Sequence, residues 1–85
     1  MDEPWTWVLD PAELGSAIRR ARNSHGWDQA ELAERLGVTR MTLSRVERGH
    51  AGSVDTALRA LAECGYGVVV APRTSRVSVD APDGS

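Results

Sequence analysis

The chain has one cysteine, no lysine and no long apolar run. Two of these scarcities close off a class of function. A single thiol, Cys64, excludes an internal disulfide and a cysteine-based metal cluster. Its expected place is that of a small buried apolar side chain on a helix. No apolar stretch approaches the roughly 20 residues needed to span a bilayer. The acidic start Met1-Asp2-Glu3-Pro4 does not resemble a signal peptide, so a cytoplasmic location is expected. There is no phosphate loop, and His25, His50 and Cys64 stand apart with no catalytic spacing. The chain is therefore not read as an enzyme, and no cofactor or metal is expected. The missing lysines, with ten arginines in their place, point to a coding bias toward G and C rather than to mechanism. With 85 residues there is room for one small domain, and its modest core would gain from a dimer interface.

Strong net charge is also lacking. The balance is −2, which gives no global case for a nucleic-acid partner. The distribution says more. Arg19, Arg20, Arg22, Arg35, Arg40, Arg45 and Arg48 lie between residues 16 and 50, against Asp28, Glu31, Glu34 and Glu47. Other acids gather at the ends: Asp2, Glu3, Asp10 and Glu13 in front, Asp80 and Asp83 behind. A basic centre between acidic ends is a local footprint for phosphate.

Four helices are expected, followed by one short strand. Residues 1–9 form an arm in which Trp5, Trp7 and Leu9 alternate. They serve either to cover an exposed part of the core or to anchor a partner. Asp10, Pro11 and Glu13 open a first helix with a capping box. Its buried stripe is Leu14, Ala17, Ile18 and Ala21, and Gly26 stops it in a left-handed conformation. Asp28 and Glu31 repeat the device for a second helix, with Trp27 placed to staple onto Leu32. Ala33 is small enough to let the next helix pack close. Leu36-Gly37-Val38-Thr39 makes a tight turn with glycine. The third helix runs from about Arg40 to Arg48 with Leu43 and Val46 inward. Ser53 caps a fourth helix, from about Val54 to Cys64, with Val54, Ala57, Leu58, Leu61 and Ala62 inward. Val68-Val69-Val70-Ala71 is short and β-branched, so it reads as a strand. Residues 72–85 form a polar tail.

The functional weight falls on residues 29–49, QAELAERLGVTRMTLSRVERG. Two short helices joined by a tight turn, the second rich in Arg and small hydroxyl side chains, fit a DNA major groove. The N-terminal end of such a second helix reaches base edges. Arg40 and Arg45 can bond guanine in bidentate fashion, Thr39 and Ser44 can bond bases or phosphates, and Met41 can touch a thymine methyl. The preceding helix aims its N-terminus at a phosphate, where the Gln29 side chain can add a bond. Arg19, Arg20, Arg35 and Arg59 are read as solvated surface.

Here the residues carry a resemblance. The segments I-R-R-A-R (18–22), Q-A-E-L-A (29–33), L-G-V-T (36–39) and S-R-V-E-R-G (44–49) resemble the phage-repressor (Xre/Cro-type) helix-turn-helix family. The ending L-R-A-L-A-E-C-G-Y-G-V-V-V-A-P-R (58–73) is similar to the HipB-type antitoxins, in which one strand follows the fourth helix. The resemblance implies a mainly α, lambda-repressor-like domain over residues 10–71. It implies that Gln29, Arg48 and His50 contact phosphates. Thr39, Arg40, Met41, Ser44 and Arg45 fall on the groove-facing positions. Met41 departs from the polar residue often found there. Arg22 and Glu47 match an internal ion pair tying the first helix to the end of the third.

The implied function is a DNA-binding repressor, bacterial and nucleoid-associated. It would be the antitoxin of a type II toxin–antitoxin operon, autoregulating as a homodimer on a palindromic operator, with a kinase-like toxin as partner. A stand-alone phage or plasmid regulator is one alternative. A protein-interaction module that has lost DNA binding is another, of a different class. The strand needs a partner for its backbone groups. Pairing through Val68, Val69 and Val70 of a second chain builds the dimer; a hairpin with residues 76–79 does not.

Overall fold

The computed structural model describes residues 6–50 and 54–73. Four helices follow in order: α1 (Pro11–Ser24), α2 (Gln29–Leu36), α3 (Arg40–Glu47) and α4 (Val54–Glu63). Their starts are set by side chains. Asp10 accepts the Glu13 N–H at 2.8 Å, but the Glu13 carboxylate takes the N–H of Leu9, at 2.7 Å, rather than that of the cap. The expected capping box is thus offset by one residue. At α2 the box is complete: Asp28 accepts from Glu31 N–H at 2.8 Å, and Glu31 accepts from Asp28 N–H at 3.0 Å.

All four helices end alike. The N–H of Trp27 reaches the Arg22 carbonyl while Gly26 reaches Asn23; the same double closure joins Val38 to Ala33 and Gly37 to Glu34. It recurs as His50 to Arg45 with Gly49 to Val46, and as Tyr66 to Leu61 with Gly65 to Ala62. This is the Schellman ending, which satisfies the last carbonyls and reverses the chain at once. Gly37, at φ +71°, is where that reversal matters most. It lets α3 follow α2 with only three residues between them.

The core sits where the helices cross. Ile18, Leu32 and Leu43, from α1, α2 and α3, are fully enclosed, and Ala33, Leu36 and Val46 fill in around them. Cys64 is buried just beyond α4, and Leu14, Trp27 and Val38 close the edges. Two particulars differ from expectation. Val54, Leu58 and Ala62 were expected inward but are exposed, while Thr56 and Ala60 are buried with Ala57 and Leu61. The α4 sequence carries two overlapping apolar stripes, 54-58-62 and 57-60-61-64. The second, made of smaller side chains, allows the closer approach to α1 and α2. Gly15, not singled out by sequence, is the other. A methyl group there would lie 2.4 Å from the Glu47 carbonyl oxygen and 2.6 Å from that of Val46. Its bare Cα is what lets α1 lie against the end of α3.

Among the described residues no strand is formed. A strand exists only through its ladder, and nothing described in one chain pairs with residues 68–71. Val68, Val69 and Val70 are 58%, 76% and 93% exposed. In the arm, Trp7 is half-buried while Val8 and Leu9 are exposed, so the expected alternation does not bury Leu9. Trp5, the Ser53 cap and residues 76–79 lie outside the described residues.

Candidate nucleic-acid interface

The heptad-like split of α3 sets the site. Leu43, Val46 and Glu47 turn inward, which forces Arg40, Met41, Thr42 and Arg45 outward. Met41 is 68% exposed, and Ser44 is half-buried on the flank of the same face. Thr39 caps α3: its hydroxyl accepts the Thr42 N–H at 3.1 Å and lies 2.9 Å from the Thr42 hydroxyl. Thr42 was not among the expected site residues. Its signal was the spacing of three from a capping threonine.

Arg48 and His50 flank the C-terminal end of α3 and are exposed. Arg48 Nε points back to the Ser44 carbonyl at 3.4 Å, and the His50 N–H is held by Arg45. Gly49 between them packs on Ala12 of α1. Residues 48–50 are thereby held against the body of the domain. At the other end, Gln29 opens α2 beside Arg40. Asp28, Gln29, Ala30 and Arg40 line a shallow concavity of about 350 Å³. The expected phosphate-facing glutamine and the first arginine of α3 thus share one recess.

Behind this face stands the expected ion pair. Arg22 Nε donates to Glu47 Oε2 at 2.8 Å and Nη2 to Oε1 at 2.9 Å, with the carboxylate side chain 0% exposed. The third guanidinium nitrogen, Nη1, donates to the Trp27 carbonyl at 2.9 Å. The hydrogen bond to Glu47 raises the Arg22 pKa further above its ordinary value, against the opposing effect of burial. Gln29 Nε2 also donates to Glu47 Oε1, at 3.1 Å.

Two arginines read as solvated surface have structural work. The Arg35 guanidinium lies 4.1 Å above the Trp27 ring and 3.5 Å from the Glu63 carboxylate. His25 stacks on Trp27 at 4.3 Å and bonds the Cys64 carbonyl through Nε2 at 2.8 Å. The C-terminal ends of α1, α2 and α4 are joined by this stack. Arg59 reaches from α4 to the carbonyl of Leu36 and pairs with Asp55 at 3.7 Å. That carbonyl is one of the last of α2, directly before the turn into α3. The Asp55–Arg59 spacing of four was legible in the sequence; the reach to Leu36 was not.

A family model described as Helix-turn-helix (HTH_3) matches residues 18–68, more than half of the chain. The chain belongs to this family. Among curated proteins it is similar to Antitoxin HipB of Escherichia coli (strain K12), with 35% identity over 40 residues. That match covers 47% of this chain and 46% of the relative, so the chain spans about half the length of the curated relative it matches. Among solved structures it resembles one described as "HipB-O4 20mer complex" at a TM-score of 0.74 and 22% identity. It also resembles one described as "Structure of HipA-HipB-O2-O3 complex", at 0.73 and 22%. Each likeness covers 82% of this chain and 100% of the other. At that identity the likeness carries the fold, a four-helix helix-turn-helix domain. No helix among the described residues is long and apolar enough to cross a membrane.

Proposed function

We propose that this chain is a sequence-specific DNA-binding repressor that works as a homodimer. We further propose that it is the antitoxin of a type II toxin–antitoxin operon, binding a palindromic operator upstream of its own gene. The observation that carries the reading is the outward face of α3. Arg40, Met41, Thr42 and Arg45 stand free of the core on a helix whose other face is anchored by Leu43, Val46 and Glu47. A face so composed offers donors for guanine and an apolar contact for thymine. Arg40 and Arg45 read bases, with Thr39, Met41 and Ser44 beside them. Gln29, Arg48 and His50 hold phosphates at the two ends. Residues 10–71 form the DNA-binding and dimerising unit, with residues 1–9 as arm and 72–85 as tail.

The antitoxin role is supported by the likeness to Antitoxin HipB. It is also supported by a solved neighbour in which HipB is assembled with HipA. The partner proposed here is accordingly a kinase-like toxin encoded next to this gene, and the place of action is the bacterial nucleoid. The dimer is supported by three exposed valines in a row, Val68, Val69 and Val70, whose backbone forms no ladder among the described residues. Pairing about a two-fold axis supplies one. A mobility-shift titration on the DNA upstream of this gene, with and without the neighbouring gene product, tests the reading. A specific shift that the second protein retains or tightens is expected. A protein that shifts no DNA beyond a random-sequence control overturns it.

A further inference from the structure

Glu47 does more than meet Arg22. Its enclosed carboxylate takes two guanidinium N–H groups from α1 and one amide N–H from Gln29, the first residue of α2. Arg19 Nε stands 4.0 Å from Oε1, the oxygen that Gln29 shares, on a side chain 55% exposed. A carboxylate accepts and does not donate. The end of the Gln29 amide that faces it is therefore the NH2 group and not the carbonyl. That contact decides which way round the amide sits. One of its two N–H bonds is spent on Glu47 and the other is left over. Gln29 is only half-buried, and it lines the recess it shares with Asp28, Ala30 and Arg40.

We propose that Glu47 is a positioning residue for DNA. Its carboxylate fixes the Gln29 amide so that the second N–H donates outward, beside Arg40, to a backbone phosphate. The inference rests on the DNA-binding reading above. Its physical content is preorganisation. A surface glutamine ordinarily gives up rotamer freedom when it grips a ligand, and here that freedom is already surrendered in the unbound protein. A flipped amide would present its carbonyl oxygen to the phosphate and repel it. The buried ion pair and the phosphate contact are then one hydrogen-bonded chain, from Arg22 through Glu47 and Gln29 to DNA.

Gln29→Met keeps length and removes both N–H bonds. Gln29→Asn keeps the amide but is one methylene too short to touch Glu47 and reach outward together. Both are expected to lose roughly tenfold or more in affinity for a short random-sequence duplex at low salt. A lowered salt slope should accompany the loss. Glu47→Gln, measured where circular dichroism shows it folded, should cost affinity in the native background and little further in Gln29→Met. Should Glu47→Gln not fold, the Asn variant and the amide spectrum decide. In nitrogen-15 spectra of the unbound full chain, one Gln29 side-chain proton should exchange with solvent more slowly than those of a free glutamine amide. Gln29 side-chain protons that both exchange as fast as a free glutamine amide, native affinity in Gln29→Asn, or full additivity of the Glu47 and Gln29 losses overturns the proposal. Each of these can occur while the native protein binds DNA. Failure of the native protein to bind any duplex overturns the DNA-binding reading instead.

Discussion

Arg22 and Glu47 meet side-on through two hydrogen bonds, at 2.8 and 2.9 Å, although 25 residues separate them. The pair joins α1 to the end of α3 inside the domain, with neither side chain more than 10% exposed. Removing one partner strands the other charge away from water. Arg22→Met or Glu47→Met alone should destabilise by about 3–5 kcal/mol. The double variant, which leaves no orphan, should cost less than the sum. Thermal or urea melts of the four proteins check this. Strictly additive losses would show that the two side chains do not act together.

Gly15→Ala should destabilise, against the usual sign. In an exposed helix interior, alanine in place of glycine gains about 1 kcal/mol. At position 15 the added methyl would meet backbone, with Glu47 O at 2.4 Å, Val46 O at 2.6 Å and Glu47 C at 2.7 Å. Backbone cannot swing aside as a side-chain tip can. α1 must move off α3, at a cost of about 1–3 kcal/mol or more. A urea midpoint equal to or above that of the native protein would mean that the two helices are not packed as described.

Cys64 should resist thiol reagents until the protein unfolds. Burial pushes its thiol pKa up, with Glu63 adding in the same direction. The thiolate is thus disfavoured in the folded state, and the thiolate is the nucleophile. Alkylation near neutral pH should be slow in buffer and fast in denaturant. The linked effect on stability has a definite sign. The folded state holds this proton more tightly than the unfolded chain, so its contribution is complete below the ordinary thiol pKa. It is lost as pH climbs from there through the raised value. Equal alkylation rates in the folded and unfolded protein would place Cys64 at the surface.

Much of this was legible in the sequence, for local reasons. Capping residues, glycine stops and apolar spacing are short-range signals, and they mark α1, α2, the turn and α3 closely. The set from Arg40 to Arg45 follows from them, because once Leu43 and Val46 are inside, geometry puts the arginines outside. What sequence could not supply was the choice between near-equal alternatives and the meeting of distant residues. α4 carries two possible inward stripes, and only packing selects the one through Ala57 and Ala60. Arg35 over Trp27, Arg59 on the Leu36 carbonyl and Gln29 on Glu47 each join separate elements at spacings with no local signature. The strand is a third kind of case. Its pairing partner belongs to a second chain, if the dimer is built as proposed, and a single chain cannot display it.

Arg40 and Arg48 should differ in kind on DNA. Arg40 lies at the start of α3, the end that meets base edges in the proposed docking. Arg48 lies at the other end of the helix, which the same proposal sets over the DNA backbone. Arg40→Ala should cost about 1–3 kcal/mol on the operator and relax preference at one base position. Arg48→Ala should weaken all duplexes evenly and lower the salt slope by about one. Competition titrations on operator and random duplexes at several salt concentrations separate the two. Equal losses on both duplexes for Arg40→Ala would count against the docking proposed.

Deleting residues 68–85 should yield a monomer that still folds. The cut keeps Tyr66, whose N–H closes α4 on the Leu61 carbonyl, so the four helices retain their ends. It removes Val68, Val69 and Val70, whose side chains are exposed and whose backbone forms no ladder among the described residues, as pairing with the same segment of a second chain requires. A two-fold axis through that pair would carry two α3 helices into successive major grooves about 34 Å apart. Loss of the pair leaves each α3 to bind alone, and operator affinity should fall far more than affinity for a single half-site. The competing arrangement uses the outer face of α4, where Val54 and Leu58 stand exposed. It predicts the opposite: the truncated protein stays dimeric, and Leu58→Glu breaks it. Light scattering on both variants decides. A truncated protein that remains a dimer with its operator affinity intact rules out the strand as the dimer's basis.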